Sequence, residues 1–197
     1  MQFFVNYTNK IISRFSRMRI IDFLVIAVLS LIPLLWIPDG QILTGHDSGY
    51  PINVLEAYKN RFYTWNSQDS MGVDNENSIS VIPILSLQAF VSYLGVSVAN
   101  SETITFIFWF FIMQTSMYML AHSLREHISY RWFPLLAAVL YVFNFYLLAL
   151  WRYGAGTTFS AYSALPLTLL FILRMLNGKL KPMPAGLFVS LTLFFFN

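Results

Sequence analysis

The 197-residue chain has no cysteine, and only 11% of its residues are charged. Without thiols there is no disulfide framework, no thiolate metal site and no cysteine nucleophile. Soluble domains carry roughly a quarter charged residues, so water is the wrong solvent for this composition. No P-loop, dinucleotide fingerprint or HExxH motif occurs, so cytosolic ATP-driven chemistry and zinc hydrolysis have no support in this stretch. What is present is 57% hydrophobic and 18% aromatic residues, the composition of membrane cores and interfacial belts.

Uncharged runs of about 20 apolar residues cross a hydrocarbon core of roughly 30 Å, and in lipid each must be helical because its backbone finds no other partner. The expected fold class is all-α, a polytopic transmembrane helix bundle. Residues 1–19 read as a basic amphipathic cytoplasmic segment, with Phe4, Ile11, Phe15 and Met18 on one face and Lys10, Arg14 and Arg17 largely on another. Residues 20–37 form the first expected transmembrane helix, with Asp22 near one edge and Trp36 at the other. Trp36-Ile37-Pro38-Asp39 offers no small-residue cleavage site, so an uncleaved anchor is expected instead of a signal peptide. Residues 38–103 form a loop with a surface helix and a re-entrant or interfacial segment, and 104–197 hold further spans near 104–123, 132–151 and 157–173. A last apolar run follows Pro182 and is short for a span, so the expectation is the N-terminal portion of a longer bundle.

The uncharged stretch 79–99 is the one topological choice. If it does not cross, Lys10, Arg14, Arg17, Arg19, Arg125, Arg131, Arg174, Lys179 and Lys181 lie inside, against Lys59, Arg61 and Arg152 outside. If it crosses, every later basic residue inverts and the inside becomes the poorer face. The positive-inside rule selects the first arrangement, with a cytoplasmic N-terminus. Pro83, Ser86, Gln88, Ser92 and Gly95 also suit a non-spanning segment, which is tolerated where it is buried in protein or lines a wet cavity. The net charge of +3 comes from basic residues at the ends of apolar runs, not from a stripe, so nucleic acid is not an expected partner and membrane lipid is.

Six of the nine acidic residues fall between the first span and residue 78: Asp39, Asp47, Glu56, Asp69, Asp74 and Glu76. Gly45-His46-Asp47-Ser48-Gly49-Tyr50-Pro51 opens this stretch, with Pro51 suited to the first turn of a helix. Ile52, Leu55 and Phe62 then share a face, so residues 51–63 are expected to lie along the membrane surface. Asp47 has two readings. It can act as a base on a lipid-linked substrate at the headgroup level, or it can cap the following turn. His46 can carry a proton or orient the turn. Lys59 and Arg61 can meet a phosphate or lipid headgroups. Arg152, in Trp151-Arg152-Tyr153-Gly154, stands against the positive-inside trend; it either meets an anionic donor phosphate or snorkels to the interface. No metal site or other cofactor is expected; a divalent cation is conceivable at Asp69, Asp74 and Glu76, but their spacing matches no EF-hand and reads as a solvated turn.

The order of these features carries a resemblance. Gly45-His46-Asp47 follows one span; Tyr63-Thr64-Trp65 and Met71-Gly72 come next, then Pro83 in the non-spanning segment ending Leu94-Gly95-Val96-Ser97, and Leu165-Pro166-Leu167 in a later span. Over about residues 20–176 this resembles the membrane-embedded C-type (GT-C) glycosyltransferases, most of all the large arabinofuranosyltransferases of cell-wall polysaccharide synthesis. The family's usual opening is a Gly-Asp pair, where here His46 stands between. The resemblance implies transfer of a sugar from a polyprenyl-phosphate donor to a glycan or lipid acceptor on the outer face of the membrane. It also implies Asp47 as the catalytic base. The rival readings are a transporter or flippase of lipid-linked sugars and a non-catalytic assembly subunit. The topology is testable directly: in this naturally cysteine-free chain, Asn75→Cys should react with an impermeant maleimide from outside and Ser129→Cys from inside, and the reverse would overturn it.

Overall fold

A computed structural model describes residues 20–45, 48–49, 51–63, 65–66, 73–74, 82–124, 130–151 and 156–196. The basic amphipathic segment expected over residues 1–19 lies outside them. The architecture is helical, with nine helices and two very small ladders among the described residues. Helices α1 (Ile20–Leu29) and α2 (Pro33–Trp36) form one interrupted apolar segment. The interruption follows from Pro33, which has no N–H to donate: the amides of Leu31 and Ile32 bond three residues back, to Val28 and Leu29, and tighten the turn ahead of the proline.

The chain then forms a two-residue antiparallel ladder, β1 (Thr44–Gly45) with β2 (Ser48–Gly49). Helix α3 (Val54–Asn60) follows. A second ladder pairs β3 (Trp65–Asn66) with β4 (Val73–Asp74). Helix α3 starts later than Pro51. Asn53 is its cap, its side-chain oxygen accepting the Glu56 amide at 3.2 Å while its amide group donates to the Glu56 carboxylate at 2.7 Å. This reciprocal pair outcompetes a proline start. Val54 is buried beneath the helix, whereas Ile52, Leu55 and Phe62 are exposed.

Helix α4 (Ile82–Tyr93) is 12 residues long, about 18 Å at 1.5 Å per residue, well short of a hydrocarbon core of roughly 30 Å. Gly95 in the left-handed region (φ +82°) turns the chain, the Ser97 hydroxyl accepts the Asn100 amide, and α5 (Val98–Leu124) begins. It therefore starts ahead of residue 104, where the uncharged run begins, and takes Ser101 and Glu102 into the helix.

Helix α5 is one of three helices long and apolar enough to cross a membrane. The second, Phe133–Leu150, is divided into α6 (Phe133–Val142) and α7 (Phe145–Trp151); the third is α8 (Gly156–Leu176). These three helices mark a membrane protein. Helix α9 (Pro182–Phe196) is shorter in its apolar part and packs on α8, with Phe171 and Phe188 stacked at 4.9 Å. Helix α5 is the central element, packed against α6 and α8, with Phe106, Trp109, Phe110 and Met113 buried against Ile37, Val142, Leu147 and Phe159.

Pro166 lies within α8 and is fully buried. Its missing N–H frees the Tyr162 carbonyl four residues earlier, and the Tyr141 hydroxyl of α6 donates to that carbonyl at 2.9 Å. Tyr141→Phe should cost about 1–3 kcal/mol by leaving the carbonyl freed by Pro166 without its donor. In a Pro166→Ala background, where a backbone N–H reaches the same oxygen, the cost should shrink; a double-mutant cycle in bicelles that shows no coupling would contradict this.

Candidate functional site

Helix α1 and its continuation run antiparallel to α5, joined by polar contacts at successive heights. The Tyr118 hydroxyl donates to the Asp22 carboxylate at 2.8 Å in a buried pair. Further along, the Gln114 amide donates to the Ser30 hydroxyl at 3.1 Å, and Trp36 meets Phe110 edge to face at 5.8 Å. At the end where α5 begins, the Leu43 amide donates to Glu102 Oε2 at 2.9 Å. Glu102 is only 2% exposed, a carboxylate inside the packed end of the bundle, where a charge without a partner is very costly.

Leu43 packs its side chain against the aromatic core that Phe106 and Phe159 close with a 5.6 Å edge contact. The ladder Thr44↔Gly49, Gly45↔Ser48 begins at the next residue. His46 and Asp47 stand between the paired positions in sequence, and both lie outside the described residues. Arg152, between α7 and α8, lies outside them as well, as do Asp69 and Glu76. Arg61 is described: it is the C-cap of α3, half-buried, its amide bonded to the carbonyls of Ala57 and Tyr58.

Helix α3 sits on α4 through buried Val54 and a long 3.4 Å hydrogen bond from the Ser86 hydroxyl to the Tyr58 hydroxyl, with Tyr58 and Phe62 edge to face at 5.1 Å. Helix α4 folds back on α5, where the Ser101 hydroxyl donates to the Gln88 carbonyl at 3.4 Å. Gln88 is 8% exposed, and among the described residues its Oε1 has no hydrogen-bond partner. Thus the short helices α3 and α4, the chain entering the first ladder and a buried carboxylate gather where α5 starts. Among the described residues no three metal-ligating side chains group together.

Glu102 is the residue that charge counting along the chain misses. A charge ends an uncharged run, so run length alone leaves this carboxylate in the loop before the span; the useful signal is a lone acid one turn inside a long apolar helix. Asn144, a polar residue within a span, has a local explanation. Its side-chain oxygen accepts the Leu147 amide at 2.9 Å and its amide donates to the Tyr141 carbonyl at 2.6 Å, so it caps α7 across the break. It uses both ends of its side chain within the break, unlike the open half-helix termini that hold cargo in transporters.

Comparison with protein-family models, with curated proteins and with solved structures finds no match to this chain.

Proposed function

We propose that the chain is an integral glycosyltransferase of the cell membrane, working on its outer face with the N-terminus in the cytoplasm. The donor is a polyprenyl-phosphate sugar, and the acceptor is a hydroxyl of a glycan or lipid. The observation that carries the reading is α3 seated on α4, a helix too short to span and folded back on α5. Together they cover the end of the bundle where α5 begins, the end at which a lipid-linked phosphate would be met on this reading.

In the proposed reaction the acceptor hydroxyl gives its proton to the Asp47 carboxylate while its oxygen forms a bond to the anomeric carbon. The bond between that carbon and the phosphate oxygen breaks, and the electron pair leaves on polyprenyl phosphate. One displacement inverts the anomeric configuration. Arg152, with Arg61 at the end of α3, would stabilise the charge gathering on the leaving phosphate, a role for which guanidinium geometry is suited. His46 would orient the acceptor or the loop. The self-contained cap at Asn144 gives the transporter reading less to stand on.

The test is sugar transfer by the full-length protein in proteoliposomes, with a labelled polyprenyl-phosphate sugar as donor. Asp47→Asn should lower the rate by about 10²–10⁴-fold, the usual weight of a general base, with membrane insertion unchanged. Undiminished transfer removes Asp47 from the mechanism, and movement of labelled lipid between leaflets without transfer points instead to a flippase.

A further inference from the structure

We infer that Glu102 is a positioning residue, a buried hydrogen-bond acceptor on α5 that clamps the segment leading into the β1–β2 ladder and so fixes where that ladder sits on the bundle. The inference extends the catalytic reading but stands on its own contacts. The Leu43 to Glu102 bond of 2.9 Å joins residues 59 apart in sequence. Leu43 is the last residue before the ladder and is itself packed on the aromatic core. The clamp therefore acts on the first backbone group after the opening apolar segment, at the point where the chain leaves the bundle.

A serine or asparagine at position 102 would be too short to make the same reach from the helix. Glutamate extends from the second turn of α5 to the chain just ahead of β1, and with only 2% of the residue exposed its carboxylate sits where low local dielectric strengthens the bond. With four residues from Leu43 to Asp47, the reach of the chain is at most about 14 Å, so fixing Leu43 confines the segment between Gly45 and Ser48. On the catalytic reading that confinement holds the proposed base, and misplacement of about 1 Å can cost roughly 10²-fold in rate.

Since the chain has no cysteine, nitroxide labels can be introduced at Ser48→Cys and Leu124→Cys in the full-length protein, the second at the far end of the helix that bears Glu102. The spin–spin distance distribution should be narrow in this background and with Glu102→Gln, which keeps an acceptor oxygen. It should broaden with Glu102→Leu, which fills the space and cannot accept. A control pair at Leu124→Cys and Leu165→Cys should keep its width in all three, showing that the bundle itself is intact. Sugar transfer should fall about 10²-fold in Glu102→Leu, mainly in kcat and not KM, and recover in Glu102→Gln. A distribution that stays narrow in Glu102→Leu, or that broadens equally in Glu102→Gln, overturns the clamp whatever the activity. Broadening in Glu102→Leu alone, in a protein that never transfers sugar, upholds the clamp and defeats the transferase reading.

Discussion

The antiparallel seam between the opening helical segment and α5 is the constraint on which the rest of the structure depends. Two apolar helices in lipid have little hydrophobic reason to choose one register over another, because the hydrocarbon around them is as apolar as their side chains. Polar pairs supply the choice. Asp22 with Tyr118, Ser30 with Gln114 and Leu43 with Glu102 lie at successive heights, and sliding either helix by one turn would break all three and leave buried donors and acceptors bare. Each bond contributes about a kilocalorie or less, but the penalty for the wrong register is the desolvation of every group at once.

The same requirement explains the irregular places. Proline at 166 frees a carbonyl and Tyr141 occupies it. Proline at 33 is preceded by a tightened turn, and the Ser30 hydroxyl bonds the Ile26 carbonyl at 2.7 Å while receiving Gln114. The break between α6 and α7 is sealed by Asn144. The deviations at Pro166 and at the α6–α7 break are each met by a side chain supplied nearby, and the one at Pro33 by the chain's own amides, the condition for such backbone within a membrane. The seam fixes the end of the bundle, and the turn at Gly95 returns α4 to the same end, so α3, α4 and the chain entering the first ladder are brought together there.

The helical character and the positions of the long apolar segments were legible in the sequence, because burial in lipid writes itself as uncharged length. That the stretch 79–99 is broken at Gly95 was legible in the sequence, and the structure turns the chain there. Helix starts were not. Local capping sets them, so the Asn53–Glu56 pair overrides Pro51, and Ser97 begins α5 ahead of the uncharged run. Glu102 was hidden because its role depends on Leu43, far away in the chain, and no local pattern announces such a partner. Of the residues read from sequence as phosphate contacts, Lys59 and Arg61 fall among those described, whereas His46, Asp47 and Arg152 do not, and Glu102 was not among the candidates.

If the polar seam sets the register, distance across it is the quantity to measure. Paired cysteines at Ser30→Cys and Gln114→Cys, treated in membranes with a short bifunctional thiol reagent, should cross-link in high yield. The pair Ser30→Cys and Ser123→Cys should not, since Ser123 lies about 13 Å further along α5. Equal yields for the two pairs, or cross-linking of the second alone, would contradict the account.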